Sequence, residues 1–155
     1  ITGAGAYTEE IRTEVAARDL SNVSFLGALE KDSFRALLNE CDVGLALYRK
    51  FSPVVFPTKI VDYMLAGLGV ITSAQGEGAE ILTRAEAGYS IPAEDSVALV
   101  TALRHCSASP KAVAALKANS ARLSREFDQN LQIGAVVEMM LAIAIRAKAA
   151  RPALV

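Results

Sequence analysis

The stretch 52–78 reads SPVVFPTKIVDYMLAGLGVITSAQGEG, and it predicts a loop, a helix, a tight turn, a buried strand and a glycine-rich loop. Pro57 suits the first helical position, where its missing N–H costs nothing. Gly67 and Gly69 would end the helix, because glycine adopts the left-handed cap conformation without penalty. The apolar run 70–72 is typical of a strand covered on both faces. A helix that leads into such a strand is half of a βαβ unit, and these units bind ligands at the carboxyl ends of their strands.

The predicted helix would have two different faces. Apolar residues recur at helical spacing on one of them, namely Ile60, Val61, Met64, Leu65 and Leu68. Lys59, Asp62 and Ala66 fall on the other, so that a cation and an anion stand three residues apart. The first face is therefore expected to pack on the sheet and the second to stay accessible.

The order of motifs in this stretch resembles that of a known family. It comprises a helix-opening Phe-Pro, an acid at Asp62, Ala-Gly at 66–67, a Val-Ile strand at 70–71, and Gly76 followed by Glu80 just after the stretch. Two further segments agree: NVSFLG at 22–27 is similar to the family's "nV.flG", and CDVGL at 41–45 to its "aDvgl". From about Gly3 to Phe127 the chain resembles the C-terminal half of the GT-B glycosyltransferases of the retaining group 1 kind.

The resemblance implies an α/β fold, a Rossmann-like parallel sheet with helices on both faces. Residues 1–126 would form the nucleotide-sugar-binding domain, and residues 127–155 a C-terminal crossover helix and tail. The chain begins at Ile1 without a methionine, and ITGAG at 1–5 looks like the end of a strand with its glycine turn. One or more N-terminal strands are therefore expected to be missing. The acceptor-binding N-terminal half of the family would be missing with them.

Composition excludes several classes of protein. The chain is 155 residues long and 52% apolar with 21% charged residues, which indicates one folded domain rather than a disordered segment. Its net charge of -1 provides no broad positive field, so no nucleic-acid partner is expected. Cys41 and Cys106 lie in no metal-binding spacing, which predicts reduced core thiols in a cytoplasmic protein, no metal and no cofactor.

The rest of the chain alternates between the two kinds of element. Strands are predicted at 23–26, 43–47 and 88–92. Helices are predicted at 8–19, from Asp32 or Ser33 as cap to Cys41, at 79–87, at 94–106 on an inward stripe of Val97, Leu99, Val100 and Leu103, and from Ser109-Pro110 onward on Val113, Leu116 and Leu123. Short apolar strands that alternate with helices favour a parallel, doubly wound sheet.

The segment 131–150 is predicted to be a helix. Its apolar run from Met139 to Ile145 is far shorter than the ~20 residues that span a bilayer. Arg146, Lys148 and Arg151 give this helix a basic end, which either is solvated or lies on a membrane surface. A location at the inner face of the membrane is the second of these alternatives.

The donor that the resemblance implies, a nucleoside diphosphate sugar, defines the candidate site. Its phosphates need N–H donors and a positive dipole end, which a helix start presents, here at Phe56, Thr58 and Lys59. A carboxylate can accept hydrogen bonds from both ribose hydroxyls. Asp62 lies roughly 7–8 Å along the axis from Pro57 at about 1.5 Å per residue, which matches that reach. The alternative is a surface ion pair between Asp62 and Lys59, and Lys59 would then bind no phosphate.

Two further expectations come from the family alone. Main-chain groups in the loop after "flG" hold the base, and here these residues are Gly27, Ala28 and Leu29. The family also has a second acid eight positions before the helix acid, and its place here is taken by Val54. The helix acid is Asp62 instead of the usual glutamate. The family's phosphate-binding Arg/Lys pair would lie before Ile1, and no catalytic residue can be assigned.

The resemblance predicts a hexosyltransferase that moves a hexose or acetamido-hexose, with UDP expected and GDP left open, to a saccharide or lipid-linked acceptor, as in polysaccharide biosynthesis. Such a chain without the acceptor half would be inactive. The alternatives are a nucleotide-binding α/β module without catalysis, and a GT-B sugar-nucleotide epimerase, which would need more titratable groups than His105 provides.

Overall fold

The structure is a computed structural model that describes residues 1–52, 54, 57–127 and 129–149. The chain falls into two compact units, Ile1–Glu40 and Cys41–Val155. The first unit contains two helices, α1 (Thr8–Ala17) and α2 (Lys31–Asn39). The second contains, in order, β1 (Val43–Ala46), α3 (Thr58–Leu65), β2 (Gly69–Thr72), α4 (Glu77–Arg84), β3 (Gly88–Ser90), α5 (Ser96–Ala108), α6 (Pro110–Leu123), a 3-10 turn (Ser124–Phe127) and α7 (Gln129–Ala149).

The sheet of the second unit is parallel, with the strand order β1-β2-β3. Gly44 pairs with Val70, and Ile71 pairs with Tyr89. All four residues of the central strand β2 are buried, as its uninterrupted apolar sequence predicts. α3 and α4 connect the successive strands, so the predicted βαβ arrangement is confirmed.

Successive residues of β2 contact different helices, because side chains alternate between the two faces of a strand. Val70 belongs to a buried cluster with Ile60 and Met64 of α3 and Leu82 of α4. Ile71 belongs to a second cluster, which contains Ala102 and Cys106 of α5 and Leu116 of α6. The sheet therefore has helices on both faces, as the resemblance implies.

The turn between α3 and β2 explains one of its two glycines. Gly67 has φ 69°, its N–H donates to the carbonyl of Met64, and the N–H of Leu68 donates to that of Tyr63. This is the Schellman arrangement predicted for a glycine cap. The same role for Gly69 is wrong, because this residue opens β2. A β-carbon at Gly69 would lie 3.0 Å from Cβ of Leu116, so the glycine lets α6 approach the strand.

Several boundaries differ from the predicted ones. Pro57 is the extended residue before α3 rather than its first helical residue. α4 covers 77–84 instead of 79–87, because Gly76, with φ 95°, turns the chain into the helix earlier. β3 ends at Ser90, two residues before Pro92. α6 begins as predicted, with the Ser109 hydroxyl accepting a hydrogen bond from the N–H of Ala112 and Pro110 in the first turn.

The predicted inward stripe of α5 is confirmed at Leu99, which packs against the second cluster, and is wrong at its other three residues. Val97 is 74% exposed, and Val100 and Leu103 are exposed as well. The buried residues of this helix are Ala102 and Cys106. The small side chains of Ala102 and Cys106 allow the helix to lie close to Ile71 of β2 and Leu116 of α6. Of the five apolar residues at 60–68 predicted for an inner helix face, Leu65 alone is exposed, at 58%.

The predicted strand 23–26 of the first unit does not form a ladder in the described structure. The pairing is reduced to one parallel bridge, between Thr2 and Gly27. The N–H of Leu26 donates to the carbonyl of Ile1, and the N–H of Gly3 donates to that of Gly27. A cap by Asp32 or Ser33 is also wrong, since α2 begins at Lys31 without a side-chain cap.

The last helix, α7, has described side chains from 131 to 146, and all of them are exposed. Nine large apolar residues are among them, with exposed fractions between 48% and 69%. Within the part of the chain that the structure describes, no helix has the length and apolar character needed to cross a membrane.

Candidate functional site

The start of α3 lies at the carboxyl edge of the sheet and is accessible. Pro57 is buried and extended, with φ -72° and ψ 127°, and it gives the helix no capping side chain. Thr58 and Lys59 in the first turn are exposed. The first N–H groups of a helix have no acceptor within the helix, so this end can donate hydrogen bonds to an anion. The fully buried Ile60 and Met64 fix its position against the sheet.

Asp62 is exposed one turn further along α3. The structure records no ion pair between Asp62 and Lys59, both of which lie within the described residues. The structure therefore does not show the alternative, an ion pair between Lys59 and Asp62. The carboxylate is available to a ligand, and its role in ribose binding remains a prediction.

Tyr63, next to Asp62, connects α3 to the edge of the sheet. Its hydroxyl donates a hydrogen bond to the carbonyl of Leu45 at 3.3 Å. Its ring covers Gly44 so closely that a β-carbon there would overlap the ring. Burial raises the pKa of Tyr63, and the nearby charges of Tyr48, Asp62 and Cys41 raise it further. Sequence reasoning missed this residue, although a glycine inside a strand is the usual sign of such a close approach.

The loop between β1 and α3 is attached to the ends of the other strands. The N–H of Tyr48 donates to the hydroxyl oxygen of Ser73 at 2.7 Å, and this hydroxyl donates to the carbonyl of Tyr48 at 3.0 Å. Two residues further on, the N–H of Lys50 donates to a carboxylate oxygen of Glu94 at 3.5 Å. Neither Ser73 nor Glu94 was predicted. Ser73 could have been suspected because it directly follows a buried strand, whereas no sequence pattern indicated Glu94.

The predicted site residues are divided between the two units. Gly27, Ala28 and Leu29 belong to the first unit, where Gly27 has φ 67° and its carbonyl accepts the N–H of Gly3 at 2.6 Å. Thr58, Lys59 and Asp62 are brought together on α3 in the second unit. Phe56 lies outside the described residues, and Val54, at the place of the family's second acid, is 37% exposed.

The cysteines and the histidine form no reactive cluster. Both cysteines are unpaired, and burial raises the pKa of the Cys106 thiol. His105 stacks edge-on against Tyr89 with 5.7 Å between ring centroids, on α5. Across the described residues no group of three His, Cys, Asp or Glu side chains could hold a metal ion.

The family model of the glycosyl transferases group 1 matches residues 1–109. The chain belongs to this family. The matched range includes α3, the glycine turns on either side of β2 and the loop at 27–29, so the family resemblance that rests on the motifs is confirmed. Curated proteins gave no sequence match.

Solved structures support the same fold. HepE from Anabaena, in complex with UDP, has a TM-score of 0.75 and 22% identity, over 91% of this chain and 39% of its own. Sucrose-phosphate synthase from Thermosynechococcus elongatus has a TM-score of 0.67 and 24% identity, over 90% and 35%. WaaG, a glycosyltransferase involved in lipopolysaccharide biosynthesis, has 0.62 and 21%, over 80% and 32%. The chain thus has the fold of one part of GT-B glycosyltransferases, and it spans about 39% of HepE.

Proposed function

We propose that this chain is the nucleotide-sugar-binding half of a retaining glycosyltransferase. The enzyme would transfer a hexose or acetamido-hexose from a nucleoside diphosphate, UDP in the first place, to a saccharide or lipid-linked acceptor. The observation that carries the proposal is the start of α3. In a chain of this family, a buried proline, an uncapped helix end and an exposed carboxylate follow one another within six residues.

The diphosphate and the ribose of the donor each have a partner in this arrangement. The N–H groups of Thr58 and Lys59, with the positive end of the α3 dipole, bind the diphosphate. Lys59 adds a mobile positive charge to the leaving phosphates. Asp62 accepts hydrogen bonds from the ribose hydroxyls, and main-chain groups at 27–29 bind the base. Support for UDP comes from HepE, which was solved with UDP and with UDP-glucose.

Catalysis in such a site rests on positioning and on charge neutralisation. As the bond to the sugar breaks, the leaving diphosphate gains a negative charge, and fixed N–H donors and Lys59 would stabilise this charge as it develops. The proposal involves no metal and no cofactor. The acceptor would be bound by a part of the enzyme outside this chain.

The proposed location is the cytoplasm, at the inner face of the membrane when the acceptor is lipid-linked. Two unpaired cysteines fit a reducing compartment. Arg146 near the end of α7 is exposed and adds a positive charge beside an exposed apolar helix, a combination suited to a membrane surface. A net charge of -1 does not favour nucleic acid as a partner.

A thermal-shift panel with UDP, GDP and NAD tests the proposal. UDP at 100 times its dissociation constant should add ~2.7 kcal/mol to the free energy of unfolding. GDP should stabilise the protein less than UDP, and NAD should not stabilise it, because the chain has no complete GxGxxG fingerprint. An equal shift with NAD, or no shift with either nucleoside diphosphate, would contradict the proposed function.

A further inference from the structure

The loop 47–52 begins with two hydrogen bonds to Ser73, the residue directly after β2. The Ser73 side chain satisfies both backbone groups of Tyr48, accepting from its N–H and donating to its carbonyl. Ser73 itself is only 4% exposed, and its own N–H donates to the carbonyl of Ala46 at 3.2 Å. Tyr48 can leave its position only if both bonds break, so the first turn of the loop has a defined shape.

A second attachment comes from the segment after β3. The carboxylate of Glu94 accepts the N–H of Lys50, and Glu94 has φ 63°. Residues other than glycine adopt this left-handed backbone in only a few per cent of cases, because the β-carbon makes it less favourable. Asp95 and Ser96 then start α5, with Asp95 as its cap. Glu94 thus stands directly before a capped helix start, and its side chain reaches the loop at Lys50.

The two attachments flank a cavity of about 280 Å³ at the carboxyl ends of all three strands. Tyr48 lines it from the end of β1, Ser73 from the end of β2, and Ile91 from the end of β3. Glu94 and Leu99 complete the wall. In open parallel sheets this edge is the one that faces ligands.

The order of groups in the donor indicates what the loop faces. In a nucleoside diphosphate sugar the diphosphate stands between the ribose and the sugar. With the ribose at Asp62 and the diphosphate at the start of α3, the sugar lies beyond that start. The chain reaches that start through the connection from β1, of which the structure describes 47–52, 54 and 57.

We propose that Ser73 is a positioning residue that, together with Glu94, holds the loop 47–52 in the shape that binds the sugar of the donor. Neither side chain would touch the reacting atoms. Both would act through the backbone of Tyr48 and Lys50. The inference rests on the proposed function, and it assigns the discrimination between a free nucleotide and a nucleotide sugar to a pair of hydrogen-bonded attachments.

The test compares UDP with UDP-glucose by calorimetry on the purified protein. Ser73→Ala should weaken UDP-glucose about fivefold, the equivalent of one net hydrogen bond, and leave the affinity for UDP unchanged. Hydrogen exchange at the amides of Tyr48 and Lys50 should become faster. The matched control is Ser120→Ala, because Ser120 is also buried and its hydroxyl also bonds to the backbone of another segment, at the carbonyl of Ala87. This control should alter neither affinity.

Glu94 provides a second variant that does not depend on a buried position. Glu94→Gly removes the carboxylate and relieves the backbone strain, so the protein should be at least as stable and yet bind UDP-glucose more weakly. Glu94→Gln keeps an acceptor oxygen and should therefore bind UDP-glucose as tightly as the wild type. Glu86→Gly is its control, since Glu86 has φ 52° at the end of α4 and is also exposed.

The possible results separate the inference from the function on which it rests. Wild-type protein that binds neither UDP nor GDP would refute the proposed function, and the inference would fall with it. Wild-type binding of UDP and UDP-glucose that both Ser73→Ala and Glu94→Gly leave unchanged would overturn the inference alone. An equal loss for UDP and UDP-glucose would also overturn it, because the loop would then not act on the sugar.

Discussion

Asp62 is the single side chain on which the proposed ribose contact depends. Asp62→Asn should weaken UDP binding, because a charge-assisted hydrogen bond of ~1.5–3 kcal/mol becomes a neutral one. Asp62→Ala should lose both acceptors, and Asp62→Glu should be tolerated, since glutamate is the residue that the family usually has there. Stability should barely change, because Asp62 is exposed and forms no ion pair with Lys59. Calorimetry with UDP and its 2′-deoxy form measures the ribose contact directly.

The controls for Asp62 separate a specific contact from a general loss of negative charge. Glu77 is an exposed acid in the first turn of α4, and Glu77→Gln should leave UDP affinity unchanged. Wild-type protein should prefer the ribose form, and Asp62→Ala should not. Absence of this preference in the wild type, or unfolding of Asp62→Asn without a change in affinity, would make Asp62 a structural acid.

Tyr63 provides a residue-level prediction of pH dependence. Its folded pKa is raised above the unfolded value of about 10, first by burial and then by neighbouring charges. The protonated form is therefore favoured in the folded state, and its contribution to stability is complete below pH ~10 and lost as the pH rises through the folded pKa. Tyr63→Phe should show a shallower loss of stability above pH 10. The remaining loss would come from Tyr48 and Tyr89, whose pKa values burial also raises.

Urea unfolding at pH 7 to 11 measures this difference. At neutral pH, Tyr63→Phe should cost about 0.5–1.5 kcal/mol, the net value of its hydrogen bond to Leu45. Identical pH profiles for the variant and the wild type would show that Tyr63 ionises as readily in the folded protein as in the unfolded chain.

At the scale of the elements, the contact between α3 and β1 requires a glycine. Gly44→Ala would place a β-carbon against the ring of Tyr63, next to Cγ, the ring atom that is bonded to Cβ. Since that part of the ring cannot move away without a shift of α3, we expect a loss of about 1–3 kcal/mol from overpacking. Gly134→Ala is the control, because nothing lies near the added carbon there. The double variant Gly44→Ala with Tyr63→Ala should recover part of the loss, and no recovery would contradict this account.

The helix α7 should contribute little to the stability of the second unit. All its described side chains from 131 to 146 are exposed, whereas Phe127, just before it, packs on the main core. Removal of residues 129–155 should therefore change the melting temperature by no more than a few degrees, and it should reduce the binding of a hydrophobic dye. A large fall in melting temperature would show that the helix is part of the core.

For the whole molecule, we expect donor binding without transfer. The chain spans about 39% of HepE, and glycosyl transfer needs an acceptor held against the donor in a cleft from which water is excluded. The purified chain should therefore bind UDP-glucose and yet leave it intact. Release of glucose or UDP, measured at micromolar protein over hours, tests this expectation. Turnover of any nucleotide sugar above the rate of an Asp62→Ala, Lys59→Ala double variant would contradict it.

Local patterns were sufficient to predict the fold class from the sequence. Val70 and Ile71 belong to an uninterrupted apolar strand, and Ser109 with Pro110 marks a helix start. At position 67 the chain has glycine, the residue type that adopts the left-handed cap conformation without strain. Each of these signals acts within a few residues, and each is confirmed. The motif order also predicted the family. Asp62 and Lys59 could be placed on one accessible helix face for the same reason, since helical spacing alone determines which residues share a face.

Only the tertiary structure decided which of the candidate contacts form. The inner face of α5 contains Ala102 and Cys106 beside the predicted Leu99, whereas Val97 and Val100 are exposed, because packing against the sheet decides which side of the helix is buried. Ser73 is 25 positions away in sequence from Tyr48, to which it bonds, and Glu94 is 44 positions away from Lys50. No local pattern encodes such pairs, since they depend on how three parallel strands align their ends. The sequence by itself determined the three strands of the sheet, the helix α3 and the exposed position of Asp62 on it, and the packing of the sheet decided which side chains hold the neighbouring loop.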